Sequence, residues 1–258
     1  MPFLTLLAVL IAATSYAESD GGGSLRVMSY NIHHGEGMDG KLDVERIAAL
    51  ILKAKADLVG LQEVDRGVER TARRDLPAEL AKLTGMHVHF ERNITHQGGE
   101  YGNAVLTKHP IKRAKNTHLK MIGPGEQRGV LQLVLDVNGR EVLFMNTHLD
   151  HRRDDAERVL SIEQAKEIIV GAGKMPVIFC GDFNATPESR PCALMKGLLL
   201  DVWAAVGRGN GFTIPAGQPA KRIDYIWVSQ ATIEPVKMEV LSSEASDHLP
   251  IVAGLRLK

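Results

Sequence analysis

The sequence predicts an α+β domain that mixes antiparallel hairpins with strand–helix units. Two observations carry this. Val130 to His148 holds two apolar runs, VLQLVLDV and EVLFMNTH, on either side of Asn138-Gly139. Asn-Gly suits a two-residue hairpin turn because both positions tolerate positive φ. Asp43 to Ala56, by contrast, puts Val44, Ile47, Ala48 and Ile51 on one helical face, between strand-like Leu25 to Asn31 (LRVMSYN) and Leu58 to Val64 (LVGLQEV). That mixture gives an α+β or α/β class rather than a simple parallel sheet.

The remaining elements follow in order. Pro77 opens a short helix and Gly85 closes it. Tyr101 to Thr107 is strand-like, and the hairpin comes next. Asp154 to Val170 reads as a long helix with Arg158, Glu163 and Lys166 on its solvated side. Val177 to Cys180 (VIFC) is a buried strand, and Ile223 to Ser229 and Ile251 to Leu257 complete the set. The longest loop-like stretches are Arg66 to Asp75 and Gly207 to Lys221. No internal repeat is strong enough to use.

The chain has 258 residues, 44% of them hydrophobic and 24% charged, the balance of a soluble globular protein. Lys+Arg and Asp+Glu both number 31, which excludes a whole-chain basic field that gathers nucleic acid and leaves only a local patch open. Residues 1–17 read as a signal peptide: Phe3 to Ala13 is apolar, Ser15-Tyr16-Ala17 offers small residues for cleavage, and Met1-Pro2-Phe3 lacks Lys or Arg. The apolar run is shorter than the about 20 residues a bilayer span needs. Residues 18–24 (ESDGGGS) read as a flexible linker, and 25–258 as a single domain. The expected location is therefore secreted or periplasmic. Cys180 lies in an apolar run and neither it nor Cys192 has metal-ligand spacing, so both are expected as buried thiols.

Polar groups recur where strand-like runs end. Asn31 ends the first, Glu63 the second and His148 the hairpin; Asp182 and Asn184 follow VIFCG, and Asp247-His248 precedes the last strand. One such residue is usually a turn former. Together they can bind a hard cation through oxygen, activate water and stabilise a phosphoryl oxyanion.

In SYNIHHG, LVGLQEVD, MNTHLDH, IFCGDFNATP, RIDYIWV and SDHLPIV, taken in order, the chain resembles the endonuclease/exonuclease/phosphatase superfamily. The resemblance runs from Leu25 to the C-terminus. It implies a four-layer helix–sheet–sheet–helix sandwich with two mixed, mainly antiparallel sheets, and a Mg²⁺-dependent phosphoesterase, with Mn²⁺ as the alternative ion. By the same resemblance, Glu63, Asn31 and Asp247 surround the metal, and Asp182 and Asn184 position water and phosphate. Asp224 supports the catalytic His248. His148 is a second histidine with Glu100 as its carboxylate partner, and Arg128 and Asn103 contact substrate. The expected partner is a phosphoester, in nucleic acid, a lipid headgroup or a small molecule, acted on by a monomer without a stable protein partner.

Physical chemistry supports these roles. An Asp224–His248 pair favours the imidazolium, and no Ser or Cys nucleophile motif is present. Two other readings are an inositol-phosphate-type phosphomonoesterase and a non-catalytic binding protein on the same fold. Three further clusters are weaker. His33-His34, if extended, would point to opposite faces and so make a poor metal pair. Arg66, Arg70, Arg73 and Arg74 could grip phosphate or form a solvated face. His151-Arg152-Arg153 lies nearer the proposed site.

Overall fold

The computed structural model describes residues 23–258. The expected leader and residues 18–22 of the linker lie outside the described residues. In chain order the elements are β1 (Ser24–Asn31), α1 (Val44–Lys53), β2 (Leu58–Arg66), α2 (Leu76–Thr84), β3 (His87–His96), β4 (Gly99–Thr107) and β5 (Ile111–His118). Then come β6 (Gly129–Val137), β7 (Arg140–His148), α3 (Ala156–Gly171), β8 (Val177–Asp182), α4 (Arg190–Lys196) and β9 (Leu200–Asp201). α5 (Val202–Val206), β10 (Asp224–Val228), β11 (Ile233–Val240) and β12 (Ile251–Leu257) end the chain.

The strands form two six-stranded sheets, in the orders β11-β12-β1-β2-β4-β3 and β5-β6-β7-β8-β10-β9. Inner faces meet in a core that includes Val27, Leu58, Leu133, Phe144 and Ile226. Ile47, Ile51 and Leu80 seal α1 and α2 onto the first sheet. Ile162, Cys192 and Met195 seal α3 and α4 onto the second. The architecture is therefore the expected four-layer sandwich. Covered on both faces, β8 is buried at all of its residues, which is why VIFC shows no alternation. Each large aliphatic side chain so buried contributes roughly 1.5–3 kcal/mol.

Local chemistry starts the helices where expected. The Asp43 carboxylate accepts from Arg46 N at 3.0 Å, and that of Asp75 from Ala78 N at 3.0 Å. Both satisfy amides that a first turn leaves free. Gly85 closes α2 at φ +68°.

Four strands fall outside the expected set, one of them the two-residue β9. β3, β5 and β11 carry alternations too polar to read, because β3, β5 and β11 are sheet edges that face solvent on one side. Arg158 is not solvated as expected. It is buried, and its Nη1 donates to Asp150 O and Arg152 O, tying down the loop after β7.

In each sheet the central pair is parallel, β1 with β2 and β7 with β8, and each pair is joined by a crossover helix, α1 or α3. The carboxyl ends of all four strands therefore point to one edge of the sandwich. β10 starts at that edge, with Asp224 opposite Asp182, and β12 follows Asp247-His248 there.

Candidate active site

Asn31 ends β1 with its side chain aimed inward. Its Nδ2 donates to Glu63 Oε1 at 2.9 Å and to Asp182 Oδ2 at 3.1 Å, while its Oδ1 accepts from His33 N. One amide thus joins a carboxylate from each sheet. Glu63 has φ +58°, in the left-handed region, and remains partly exposed. Asp182 is 1% exposed. Its Oδ1 accepts from Asn184 N at 2.9 Å. Its Oδ2 lies 3.6 Å from both His148 Nε2 and His248 Nε2, approaches longer than hydrogen bonds.

Behind His248, Asp224 Oδ2 lies 2.9 Å from Nδ1 and accepts a 2.5 Å bond from Thr213 Oγ1. Burial alone would lower the imidazole pKa. The charges of Asp224 and Asp182 and the Asp224 hydrogen bond outweigh it and push His248 up to about 10. Burial, then repulsion from Asp224, pushes Asp182 up to about 7, against the pull of His248. His148 moves the other way. Burial first, then the Arg128 charge, holds it well below the usual imidazole range, so it is neutral. Arg128 Nη1 can only donate and sits 3.1 Å from His148 Nδ1. The His148 proton is therefore assigned to Nε2, facing Asp182.

Asn31, Glu63, His148, Asp182, Asn184, Asp224, Asp247 and His248 thus gather at one edge. Asn184, at φ +46°, donates Nδ2 to Leu149 O. Asp247 is partly exposed and accepts from Ser246 Oγ at 3.3 Å. Asn103 is buried beside the β2 irregularity, with Nδ2 3.4 Å from Gly129 O.

One expectation is corrected. Glu100 is not the partner of His148; it pairs with Arg66, its register neighbour on β2, and lies 3.6 Å from Arg92. Arg128 is 5% exposed and beside His148, with Nη1 2.7 Å from Glu126 Oε1 and Nη2 3.3 Å from His151 Nδ1. His33 and His34 form a turn at φ +44° and +46°, not an extended pair, with rings 4.4 Å apart. Arg66, Arg70 and Arg74 are engaged by Glu100, Asp65 and Glu79. Arg152 is held by Asp150 and Glu157. Thr213 and Glu126 were outside the expected set. Each sits in a loop without periodicity, so only the fold brings them to the site.

Asp182, Asp224 and His248 present atoms within 4.8 Å of one another that a metal ion could accept. In the present arrangement His248 Nδ1 is already engaged by Asp224, so the open oxygen donors are those of Glu63 and Asp247. The wider site gathers the carboxylates of Glu63, Asp182, Asp224, Asp247 and Glu126, with the His248 and Arg128 charges among them and Arg70 near Glu63. Such a negative excess suits a bound divalent cation.

Residues 28–248 match the family model described as the Endonuclease/Exonuclease/phosphatase family. The chain belongs to that family. Within the endonuclease/exonuclease/phosphatase family, it is 28% identical over 250 residues to the uncharacterized protein YbhP of Escherichia coli K12, covering 91% of this chain and 97% of YbhP. It is 28% identical over 207 residues to the 5'-tyrosyl-DNA phosphodiesterase of Caenorhabditis elegans, covering 77% of this chain and 53% of that protein. In structure it is similar to a family member from Beutenbergia cavernae, with TM-score 0.70 and 26% identity over 91% of this chain and 72% of the other. The mannosyl-6-phosphatase Bt3783 of Bacteroides thetaiotaomicron shares the fold, with TM-score 0.73 and 22% identity over 90% and 99% of the two chains.

Proposed function

We propose that the chain is a Mg²⁺-dependent phosphodiesterase acting outside the cytoplasm. The observation that carries this reading is the setting of Asp182: a buried carboxylate between Asn31, a neutral His148 and a charged His248 that Asp224 backs. Glu63 and Asp247, with Asn31 beside them, would hold the ion. The ion, when bound, supplies charge neutralisation at the phosphoryl oxygens and an acidified water. Asp182 orients the attacking water and takes its proton, for which a carboxyl raised toward neutrality is suited. His248, as imidazolium, stabilises the oxygens on which charge develops. His148 offers Nε2–H to the same centre, with Arg128 fixing its tautomer. Asn184 holds the phosphate. No covalent intermediate is required.

The diester is favoured over the monoester on charge. A monoester dianion brings one more negative charge to a site already rich in carboxylates, whereas a diester is a monoanion. The named activity of the C. elegans relative supports the same choice. The zero net charge favours a small or lipid diester over tight duplex binding.

The test is hydrolysis of bis-p-nitrophenyl phosphate beside p-nitrophenyl phosphate, with Mg²⁺ and with EDTA, for the wild type and Asp182→Ala. Metal-dependent diester cleavage, lost in the variant by at least about 10³-fold, is expected. Preference for the monoester, or cleavage that survives EDTA, would overturn the proposal.

A further inference from the structure

The irregularity that presents Glu63 is built around side chains from the opposite sheet. β2 and β4 pair in register from Leu58↔Thr107 to Leu61↔Ala104 and resume at Val64↔Gly102, so Gln62 and Glu63 together face Asn103. Such a bulge interrupts the ladder and re-aims a side chain. Here it turns Glu63 into the left-handed region, a conformation that costs a non-glycine residue energy and persists only if its surroundings enforce it.

The enforcing group is an amide that crosses the core. Asn146 of β7 is fully buried. Its Nδ2 donates to Leu61 O at 2.8 Å and Ala104 O at 2.9 Å, the carbonyls of the last register pair before the bulge. Its Oδ1 accepts from Gln62 Nε2 at 2.6 Å. Gln62 Nε2 also faces Gly60 O at 3.2 Å and Ser29 Oγ at 3.3 Å. The crossing needs room, and Gly60 leaves it. A Cβ there would stand 2.3 Å from Cys180 Sγ and 3.0 Å from Asn146 Oδ1. Gly60, Gln62 and Asn146 are therefore one device, split between LVGLQE and MNTH. Asn146 also lies two residues before His148, so the bridge fixes the Glu63 half of the site against the His148–Asp182 half.

We infer that Asn146 and Gln62 are positioning residues for Glu63: their amide bridge, joining the two sheets at the bulge, sets the backbone that aims the Glu63 carboxylate at Asn31. The inference rests on the reading of Glu63 as a cation ligand. A merely stabilising amide pair would lower the melting temperature and leave cation affinity alone. A positioning pair changes affinity beyond what lost stability explains.

The experiment is a Mn²⁺ titration followed by electron paramagnetic resonance, without substrate, alongside thermal melts. The proteins are the wild type, Asn146→Leu, the milder Gln62→Met, and Leu135→Ala as a cavity control in the same core, near the other end of β6 and β7. Asn146→Leu and Gln62→Met should weaken Mn²⁺ binding on the order of 10-fold, as loss of supporting partners of a metal ligand does. Leu135→Ala should melt earlier and bind as the wild type does. Gln62→Met keeps the test open if Asn146→Leu fails to fold. Affinity within about twofold of wild type in Gln62→Met and any folded Asn146→Leu would overturn the positioning role, as would an equal loss in Leu135→Ala. A wild type that binds no Mn²⁺ would overturn the reading of Glu63 itself, and this inference with it.

Discussion

Replacing Asp224 with Asn keeps the shape behind His248 and removes the charge. The carboxylate oxygen lies 2.9 Å from His248 Nδ1, so the two charges are centred about 4 Å apart. At an effective dielectric of about 20, that is worth about 4 kcal/mol, or about 3 pKa units. His248, now pushed up to about 10 against its burial, would titrate near about 7 in the variant. The imidazolium is the useful form, so activity is present below its pKa and lost as pH rises through it. At about pH 8.5 only about 1 in 30 variant molecules would carry the charge, a roughly 30-fold loss before any misorientation is counted. The acid limb should move little, because Asp182 loses both the repulsion of Asp224 and part of the support of His248. The assay is kcat/KM for bis-p-nitrophenyl phosphate across roughly pH 6 to 10 at fixed Mg²⁺. A uniform loss with the alkaline limb unmoved would refute the reasoning, leaving Asp224 a role in orientation alone.

Three other outcomes are expected. Glu63→Gln should raise the Mg²⁺ needed for half-maximal activity by about tenfold or more, about 1.4 kcal/mol, and an unchanged metal titration would remove Glu63 from the ligand set. His34 is held down to about 4 from 6.5, by burial first and then by the charges of Arg70 and His33. Its contribution to stability is complete above about pH 6.5 and lost as pH falls toward about 4, a span worth about 3 kcal/mol. Urea melts at both ends of that window should show a smaller drop for His34→Gln, and an identical drop would place the acid sensitivity elsewhere. Gly102→Ala would put a Cβ 2.0 Å from Glu91 O, where β3 closes on β4. The backbone must shift, so a cost above about 3 kcal/mol is expected, and a melting temperature within about 2 °C of wild type would contradict the packing.

Much of the fold was legible because its central strands and helices follow simple patterns. β1, β2, β7 and β8 are apolar runs that end in a polar residue, and α1 shows a clean buried face at Val44, Ile47, Ala48 and Ile51. The edges were not legible. β5, as IKRAKNTH, is mostly solvated, and its pairing with β6 comes from backbone groups that carry no side-chain signal. Site residues in ordered motifs, such as Asp182 and His248, could be named from sequence. Their partners followed only where the motif itself carried them, as with Asp224. Glu100 shows the limit. It stands three residues from Asn103 in sequence, yet its carboxylate is taken by Arg66, directly across from it on β2, while His148 faces Asp182 and Arg128. Arg158 shows another. Helical periodicity put it on the outer face, but the loop after β7 folds back over it and presents carbonyls that a guanidinium satisfies.

The edge on which the site lies follows from connectivity. A crossover helix returns the chain so that neighbouring strands run parallel, and parallel neighbours end together; clefts outside such carboxyl ends are where open α/β sheets bind ligands. Here two such units, β1–α1–β2 and β7–α3–β8, face each other across one core. One supplies Asn31 and Glu63, and the other supplies His148 and Asp182. Neither half is a site alone. Asp182 would be a buried carboxylate without its amide donor, and Asn31, which also holds Glu63, would lose the carboxylate that ties it to the second sheet. Burying a carboxylate costs several kcal/mol unless it is paired and hydrogen-bonded. Docking the two sheets therefore does more than bury apolar area. It is the step that gives Asp182 its partners, which makes the packing of the core a precondition for the ionisation on which the proposed chemistry depends.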